Sequence, residues 1–465
     1  MKNLVVNRHK IFGTDGIRGT PGIYPLTDPM LAVISRAVGW HAAHVAGKRR
    51  PKAVIGKDTR LSGGKIEDIL SSNIKDFGVD VHCAGTITTP GLSYLTEKLK
   101  ADIGIMISAS HNKAQDNGIK FFNRRGYKYS QAEEEDVEDV IFQMLAHADG
   151  FPAMKKKGAV IQFGDAQKKY VDFLTGSVKG LALSGLTVAL DCAWGAASPF
   201  GRSVFERLGA KVVAIHDKPS GHNINEGGAV NPTLLKKLVL DSGADIGVAV
   251  DGDGDRGILV DEKGAVLDGD ATLAVIARHM SAAKRLTRNT VVATVMSNCG
   301  LKASLDECGT KIICTNVGDK YVLEALLKNG LNLGGEQSGH IIFLDHLATP
   351  DGLLTALQML KVVRETGMPL SALRACITRF PQVLVNVKVT EKRPFEQMPD
   401  VMRQLKHCES ALHTQGRVLL RYSGTETLAR VMVEGKDKAQ IEAMAEAIAQ
   451  TIRREIGEAG EKGAQ

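Results

Sequence analysis

Three aspartates separated by single glycines, Asp251-Gly-Asp-Gly-Asp255, followed by Arg256, close the apolar run Ile246-Gly-Val-Ala-Val250. In extended backbone, residues two apart share a face, so these carboxylates crowd together unless a cation sits among them. Oxygen-only ligands favour Mg2+ or Ca2+ over zinc, and the glycines let the chain curl around an ion. A solvated acidic turn is the plain alternative. Acids at Asp251, Asp253, Asp255 and Glu262 also imitate an EF-hand loop. That loop needs glycine where Arg256 stands and helices on both sides, whereas Ile246 to Val250 and Gly257 to Val260 read as strands. The EF-hand is rejected. The loop is expected to hold Mg2+ beside an anion, because Mg2+ commonly shares its coordination sphere with phosphates.

Four further polar stretches could carry chemistry. Ser108-Ala-Ser-His-Asn112 follows the buried-looking run Ile103-Gly-Ile-Met-Ile107, and Lys120 returns after the Asn117-Gly118 turn. Open α/β sheets place their chemistry in such loops at the carboxyl end of a strand, although an Asx-type turn with a surface histidine fits equally well. Gly334-Gly-Glu-Gln-Ser-Gly-His340 is another polar loop between apolar segments. In Arg421-Tyr-Ser-Gly-Thr-Glu426, Arg421, Ser423 and the amides around Gly424 and Thr425 suit an anion cradle to which Arg430 adds a second positive charge. A solvated turn is the alternative there. Phe12-Gly-Thr-Asp-Gly-Ile-Arg-Gly19 offers Arg18 among backbone donors, as either a phosphate loop or an ordinary turn.

The elements that must position these loops follow an α/β rhythm. Helical periodicity after Thr27, around Ile66 to Ile74, from Pro232 to Asp241, from Ala271 to Ala283 and from Lys320 to Lys328 alternates with short apolar strands, which predicts layered α/β domains. Ser130 and Glu133 form a capping box ahead of an acidic-faced helix. At 465 residues the chain is too long for one core. The breaks divide it into an α/β domain over 1–155, a second over 156–264, a third over 265–376 and an α+β domain over 377–465. No fixed-period repeat is present.

Composition is that of a globular protein, with 43% hydrophobic and 24% charged residues. The net charge of +7 is spread along the chain, and Lys155-Lys156-Lys157 and Lys48-Arg49-Arg50 lack aromatic interleaving. No nucleic-acid partner is expected; a small anionic substrate is. Seven cysteines without a C-x-x-C pair suggest reduced thiols and a cytoplasmic setting. No signal peptide or membrane span is expected.

Together the loops resemble the α-D-phosphohexomutase superfamily, over Phe12 to Gly435. Val317-Gly-Asp-Lys-Tyr-Val322 and Gly335 to His340 look more like its glucosamine branch than its phosphomannomutase/phosphoglucomutase branch, which typically has methionine where Gln337 stands. The resemblance implies four domains around a central cleft, the first three α/β with mixed sheets and the fourth a smaller α+β domain. It makes Ser110 the phosphorylated nucleophile, with one Mg2+ held by Asp251, Asp253, Asp255 and an oxygen of the phosphorylated Ser110. Glu336 and Ser338 would hold sugar hydroxyls, and Arg421, Ser423, Gly424 and Thr425 the phosphate that is not reacting. Arg18, His111, Lys120 and His340 would surround the reacting phosphate or move protons, with Arg256 close by.

The activity so implied interconverts glucosamine 6-phosphate and glucosamine 1-phosphate through glucosamine 1,6-bisphosphate, which also primes the enzyme. It supplies amino-sugar precursors for UDP-N-acetylglucosamine and the cell wall. A homodimer is compatible with the resemblance. The alternatives are the same chemistry on mannose or glucose phosphates, a phosphatase, and a silent sugar-phosphate-binding paralogue. Lys113 and Thr427 stand where the superfamily usually has proline, Trp194 where a small polar residue is common, and Glu226-Gly-Gly228 in place of Cys-Gly-Ser.

Overall fold

The computed structural model describes residues 10–13, 15–47, 50–147, 151–413, 416–423 and 427–458. Gly424 and Thr425 of the expected phosphate loop lie outside the described residues. Contacts divide the chain into two compact units, one of Met1–Val295 with Thr310–Ala375 and one of Met296–Gly309 with Cys376–Gln465. Among the described residues the strands form four sheets.

The first domain runs β1 (Ile17–Gly19), α1 (Asp28–Ala46), β2 (Lys52–Lys57), α2 (Ser62–Ile74), β3 (Asp80–Thr86), α3 (Thr89–Lys98), β4 (Ile103–Ile107), β5 (Asn117–Asn123), α4 (Gln131–Ala146) and β6 (Val160–Gln162). Its sheet order is β1-β5-β4-β2-β3-β6. The β4, β2, β3 and β6 strands are parallel neighbours, while β5 runs antiparallel to both β4 and β1. Every residue of β4 is buried, as expected of a central strand covered on both faces. Ile103, Ile105 and Ile107 join Ile34 and Val38 of α1 in one apolar core. Thr27 caps α1 by accepting from the Met30 amide, and the Ser130–Glu133 capping box forms on α4.

The second domain contains α5 (Ala166–Gly176), β7 (Thr187–Asp191), α6 (Gly201–Glu206), β8 (Lys211–Ile215), α7 (Thr233–Ser242), β9 (Ile246–Val250), β10 (Gly257–Asp261) and β11 (Val266–Leu267). Its sheet order is β11-β10-β9-β7-β8, with β10 antiparallel to the parallel strand β9. Strands on both sides of the aspartate loop uphold the exclusion of an EF-hand.

The third contains α8 (Gly269–Ala282), β12 (Thr290–Thr294), α9 (Cys299–Asp306), β13 (Lys311–Thr315), α10 (Asp319–Asn329), β14 (Leu333–Gly335), β15 (Ile341–Phe343), α11 (Gly352–Thr366) and α12 (Leu370–Arg374). Its sheet order is β13-β12-β14-β15, parallel except for β15.

The second unit is built on β16 (Gln382–Lys388), α13 (Pro399–Leu412), β17 (Gly416–Tyr422), β18 (Leu428–Gly435) and α14 (Lys438–Ile456), with an antiparallel sheet ordered β16-β18-β17. Val431 and Val433 pack with Ile441, Ile448 and Ile452 of α14. Helix α9 groups with this unit: the Cys299 amide donates to Glu434 Oε1 at 2.8 Å, and Asn298 Oδ1 accepts from Phe380 N at 2.9 Å.

Three details differ from the sequence expectation. The glycine-rich stretch before Thr20 is not all loop, because Ile17–Gly19 pairs antiparallel with Asn117–Ile119 as an edge strand. The first sheet extends beyond residue 155, since Val160–Gln162 adds to β3. The second extends beyond residue 264, because Val266–Leu267 pairs with β10. No helix among the described residues is long and apolar enough to cross a membrane, and the seven cysteines are free thiols.

Candidate active site

Three loops in the first unit share one topological position, each joining a parallel strand to its antiparallel neighbour. The β4–β5 loop carries Ser110 and His111, the β9–β10 loop carries the aspartates, and the β14–β15 loop carries Glu336, Ser338 and His340. Pairing of Val250 with Gly257, and of Gly335 with Ile341, closes the second and third tightly.

The loops meet at their polar tips. Ser110 Oγ donates to Asp251 Oδ2 at 3.1 Å and lies 3.2 Å from His111 Nδ1. His340 Nε2 lies 3.0 Å from Asp255 Oδ1, and its Nδ1 lies 2.9 Å from Glu336 Oε2 and 3.3 Å from Ser338 Oγ. Arg256 Nε is 3.2 Å from His340 Nε2 and 4.0 Å from Asp251 Oδ2. Lys120 Nζ reaches Asp253 Oδ2 at 2.9 Å and Asp255 Oδ2 at 3.6 Å. Strand β1 sets Arg18 opposite Gly118, with Arg18 Nη1 3.5 Å from both Ala109 O and Asn112 Oδ1. The eleven residues expected from the first three domains therefore form one cluster.

The Ser110 loop is held in an uncommon conformation. Ser110 has φ of 52°, in the left-handed region that costs a non-glycine residue roughly 1 kcal/mol or more. Neighbouring groups fix it there. The Ser110 amide donates to Ser108 Oγ at 2.9 Å, and Ser108 Oγ in turn donates to Asp58 Oδ2 at 2.6 Å. The buried Arg60 guanidinium pairs with Asp58 at 2.9 Å and donates to the carbonyls of Ser110, Asn112, Lys113 and Asp116. Asn225 joins this loop to the metal loop. Its Nδ2 donates to Ser110 O at 2.8 Å and Asn112 O at 2.9 Å, while its Oδ1 accepts from Gly252 N at 2.7 Å. A Cβ on Gly252 would stand 2.7 Å from Asn225 Nδ2 and 2.9 Å from Ser110 O, so glycine is required for this approach.

Burial governs the electrostatics. Asp251, Asp253 and Asp255 are all essentially inaccessible. Burial, with Asp255 and Asp253 alongside, pushes the Asp251 carboxyl up to about 7. Burial would raise Asp255 too, but His340 and Lys120 hold it well below the usual carboxylate range. For His340, burial is outweighed by Asp255 and Glu336, which push the imidazole up to about 10. His111 goes the other way: desolvation, then Arg256 and Arg18, pull it down to about 4, although the residue as a whole is exposed. Lys120 is held above its ordinary value because Asp15, Asp253 and Asp255 overcome its burial.

The aspartate trio offers one carboxylate oxygen from each residue within 4.8 Å of one another. Asp253 Oδ1 is buried with no hydrogen-bond partner. An oxygen-only donor set with an orphaned buried carboxylate oxygen, and with Asp251 driven towards protonation by burial and then by like charges, fits a hard divalent cation such as Mg2+.

In the second unit, register pairs Arg421 of β17 with Arg430 of β18. Desolvation and the Arg430 charge lower the Arg421 guanidinium from its ordinary value. Ser423 is buried, its Oγ accepting from Arg430 Nη2 at 3.5 Å and its carbonyl from Lys392 Nζ at 2.7 Å. Adjacent guanidiniums beside a hydroxyl suit an anion.

Sequence reasoning missed Asp15, Asp58, Arg60, Thr89 and Asn225. Asp58 and Arg60 stand just past the carboxyl end of β2, the signal that singled out Ser110, and Asp15 lies three residues before Arg18, with which it pairs at 2.6 Å. Thr89 N, in the first turn of α3, donates to Asp253 O at 2.8 Å. Nothing local marks Asn225, whose partners are 27 to 115 residues away. The departures from the superfamily pattern engage through their backbones. The Lys113 carbonyl takes Arg60, the Trp194 carbonyl takes Thr59 Oγ1 at 2.6 Å, and the Thr427 carbonyl takes the Val389 amide at 3.0 Å.

Comparison with known proteins agrees with this architecture. Sequence models of phosphoglucomutase/phosphomannomutase alpha/beta/alpha domains I, II and III match residues 9–147, 168–264 and 268–380, and that of the C-terminal domain matches 384–451. A phosphoglucosamine mutase from an Anaeromyxobacter species is 46% identical over 453 residues, covering 96% of each chain. One from Geobacter metallireducens is 47% identical, covering 96% of this chain and 99% of the other. Among solved structures, a phosphoglucomutase/phosphomannomutase family protein from Burkholderia thailandensis superposes with a TM-score of 0.79 at 22% identity, covering 98% of both chains. The Aspergillus fumigatus N-acetylphosphoglucosamine mutase in complex with GlcNAc-6P and magnesium gives 0.61 at 18% identity over 95% of both, a likeness of fold. With four family domains in order along one chain, and near-full-length relatives at 46–47% identity, the protein belongs to the phosphoglucomutase/phosphomannomutase family, within its phosphoglucosamine mutase group.

Proposed function

We propose that the chain interconverts glucosamine 6-phosphate and glucosamine 1-phosphate, with Ser110 as the residue that carries and exchanges the phosphoryl group. The observation that carries this reading is the buried Ser110 Oγ, 3.1 Å from Asp251 in the aspartate trio and 3.2 Å from His111 Nδ1, with Lys120 paired to Asp253 of the same trio. The identity to phosphoglucosamine mutases supports the choice of sugar.

In the first half-reaction the bond between phosphorus and Ser110 Oγ breaks as a bond forms from phosphorus to the sugar O1. The sugar hydroxyl gives up its proton and Ser110 Oγ regains one, yielding glucosamine 1,6-bisphosphate. The intermediate turns over, and its 6-phosphate returns to Ser110. Phosphoryl transfer requires mainly positioning and charge neutralisation. Lys120 and Arg18 supply fixed positive charge on the Ser110 side, while Glu336 and Ser338 accept sugar hydroxyls. The two protons would pass through groups among His111, 3.2 Å from Ser110 Oγ, Lys120, and His340 on the sugar loop. Arg421, Ser423 and Arg430, with Gly424 and Thr425, take a phosphate. Asp251, Asp253, Asp255 and an oxygen of the phosphorylated Ser110 would hold Mg2+, which supplies Lewis-acid neutralisation of phosphoryl charge.

The test is a coupled assay with bisphosphate primer on glucosamine, mannose and glucose 6-phosphates. Preference for glucosamine 6-phosphate, lost in Ser110→Ala, is expected. A mannose or glucose preference would overturn the sugar assignment, free phosphate outpacing 1-phosphate would indicate a phosphatase, and full activity in Ser110→Ala would overturn the nucleophile.

A further inference from the structure

A line of alternating charges joins the sugar loop to the metal loop, and Lys128 stands at its middle. Lys128 lies in the turn between β5 and α4, outside every polar loop discussed above. Its Nζ is 3.0 Å from Asp15 Oδ1 and 2.7 Å from Asp319 Oδ2. Asp15 continues the line through Oδ2 to Lys120 Nζ at 3.0 Å, and Lys120 meets Asp253 at 2.9 Å. In the other direction Asp319 opens α10 directly after Gly318, whose amide donates to Glu336 Oε1 at 2.9 Å. The connection from Glu336 to Asp253 is therefore unbroken.

The geometry is not that of a loose surface pair. The Lys128 and Asp319 side chains are 14% and 15% exposed. Two carboxylates share one ammonium, so deleting it takes the ion pair from the largely desolvated Asp319 and leaves Asp15 held by Lys120 and Arg18 alone. Asp15 also fixes Arg18, at 2.6 Å. A shift of Asp15 therefore moves both cations assigned to the reacting phosphate, and a shift of Asp319 moves the amide that orients Glu336.

We propose that Lys128 is a positioning residue that couples the sugar loop to the Asp15–Lys120 pair, so that sugar held at Glu336 and phosphoryl charge at Lys120 are set in register. This rests on the assignment of Ser110 and Glu336 to one active site. Lys128 acts through Asp15 and Asp319.

The test measures kcat and KM with bisphosphate primer on whichever hexose 6-phosphate the wild-type protein turns over best, so that a sugar preference contradicting the proposed function leaves this test standing. Lys128→Met is expected to raise KM and lower kcat, each about tenfold, as coupled charge networks do on losing a member. Lys128→Arg should recover most of both. Asp319→Asn, which removes the same link from the other side, should impair in the same sense, and the Lys128→Met/Asp319→Asn double variant should be no worse than Lys128→Met. The inference is overturned if Lys128→Met keeps wild-type KM and kcat, if its only change is a lower melting temperature, or if the two single losses multiply in the double variant.

Discussion

Asn225 carries out two tasks with one carboxamide, donating twice to the Ser110 loop and accepting once from the metal loop. It holds φ of 66°, a conformation that asparagine and aspartate tolerate better than most residues. Asn225→Asp keeps that tolerance and the acceptor for Gly252 while replacing the two donated hydrogen bonds by carboxylate facing two carbonyls. Both carbonyls keep their hydrogen bonds from Arg60, so the variant loses two of the loop's donated hydrogen bonds, each worth about 1 kcal/mol, and sets a carboxylate against the two carbonyls. Because the loss falls on the loop that holds Ser110 in its left-handed conformation, kcat is expected to fall by at least tenfold with a smaller change in KM, measured in the primer-dependent assay. Wild-type kcat in Asn225→Asp would show that Arg60 alone holds the loop. The contrast with Ser110 explains what was legible at this scale. Ser110, the aspartates, Glu336 and His340 announce themselves as unusual residue types packed into a few consecutive positions, whereas Asn225 and Lys128 gain their roles only from distant partners.

At the scale of elements, the N-terminus of α11 is pressed against the metal loop: Gly352 N donates to Gly254 O at 3.0 Å, and a Cβ on Gly352 would stand 2.2 Å from Arg256 O. Asp351 caps this helix by accepting from the amides of Leu353 and Leu354, and also accepts from Tyr170 Oη at 2.5 Å. Burial pushes its carboxyl up to about 6, despite the hydrogen bonds from Tyr170 and the two amides that favour its charge. The folded value lies above the ordinary value of about 3.9, so the folded state binds the extra proton between these limits. Its contribution to stability is then fully present below about pH 4 and is lost as pH rises through about 6, by roughly 2–3 kcal/mol. Asp351→Asn lacks this titration. The melting temperature of wild type relative to Asp351→Asn should therefore be higher at pH 4.5 than at pH 7.5, and an unchanged difference would rule the effect out. The Ser130–Glu133 capping box was readable because it is a local hydrogen-bond pattern. The β1 strand was not, because three residues on a sheet edge carry no period of their own and depend on pairing with β5, about a hundred residues away.

At the scale of the molecule, three sheets repeat one plan, a parallel set continued by an antiparallel strand, with the functional loop always at the same junction. The α/β rhythm made the layered fold legible, but the threefold plan was not, since topology recurs here without a repeated sequence. Convergence of these loops buries the three carboxylates that the β9–β10 loop already packs together, and that arrangement sets function against stability. Asp251, pushed up to about 7, lies above the ordinary carboxylate value, so its stabilising neutral form is lost as pH rises through about 7. At pH 8 without metal the first unit should therefore carry an unfavourable charge that Asp251→Asn removes. Metal-free Asp251→Asn should melt at or above the wild-type temperature, by about 1 °C if the relief approaches 1 kcal/mol in a unit of this size. Added Mg2+ should raise the wild-type midpoint, since a ligand at one hundred times its Kd contributes about 2.7 kcal/mol, and should raise the variant's far less. The variant should also lose turnover. Thermal unfolding of both proteins at pH 8, in chelator and in Mg2+, checks the argument. A metal-free variant less stable than wild type would mean that the hydrogen bond from Ser110 and the contact with Arg256 outweigh like-charge repulsion at Asp251.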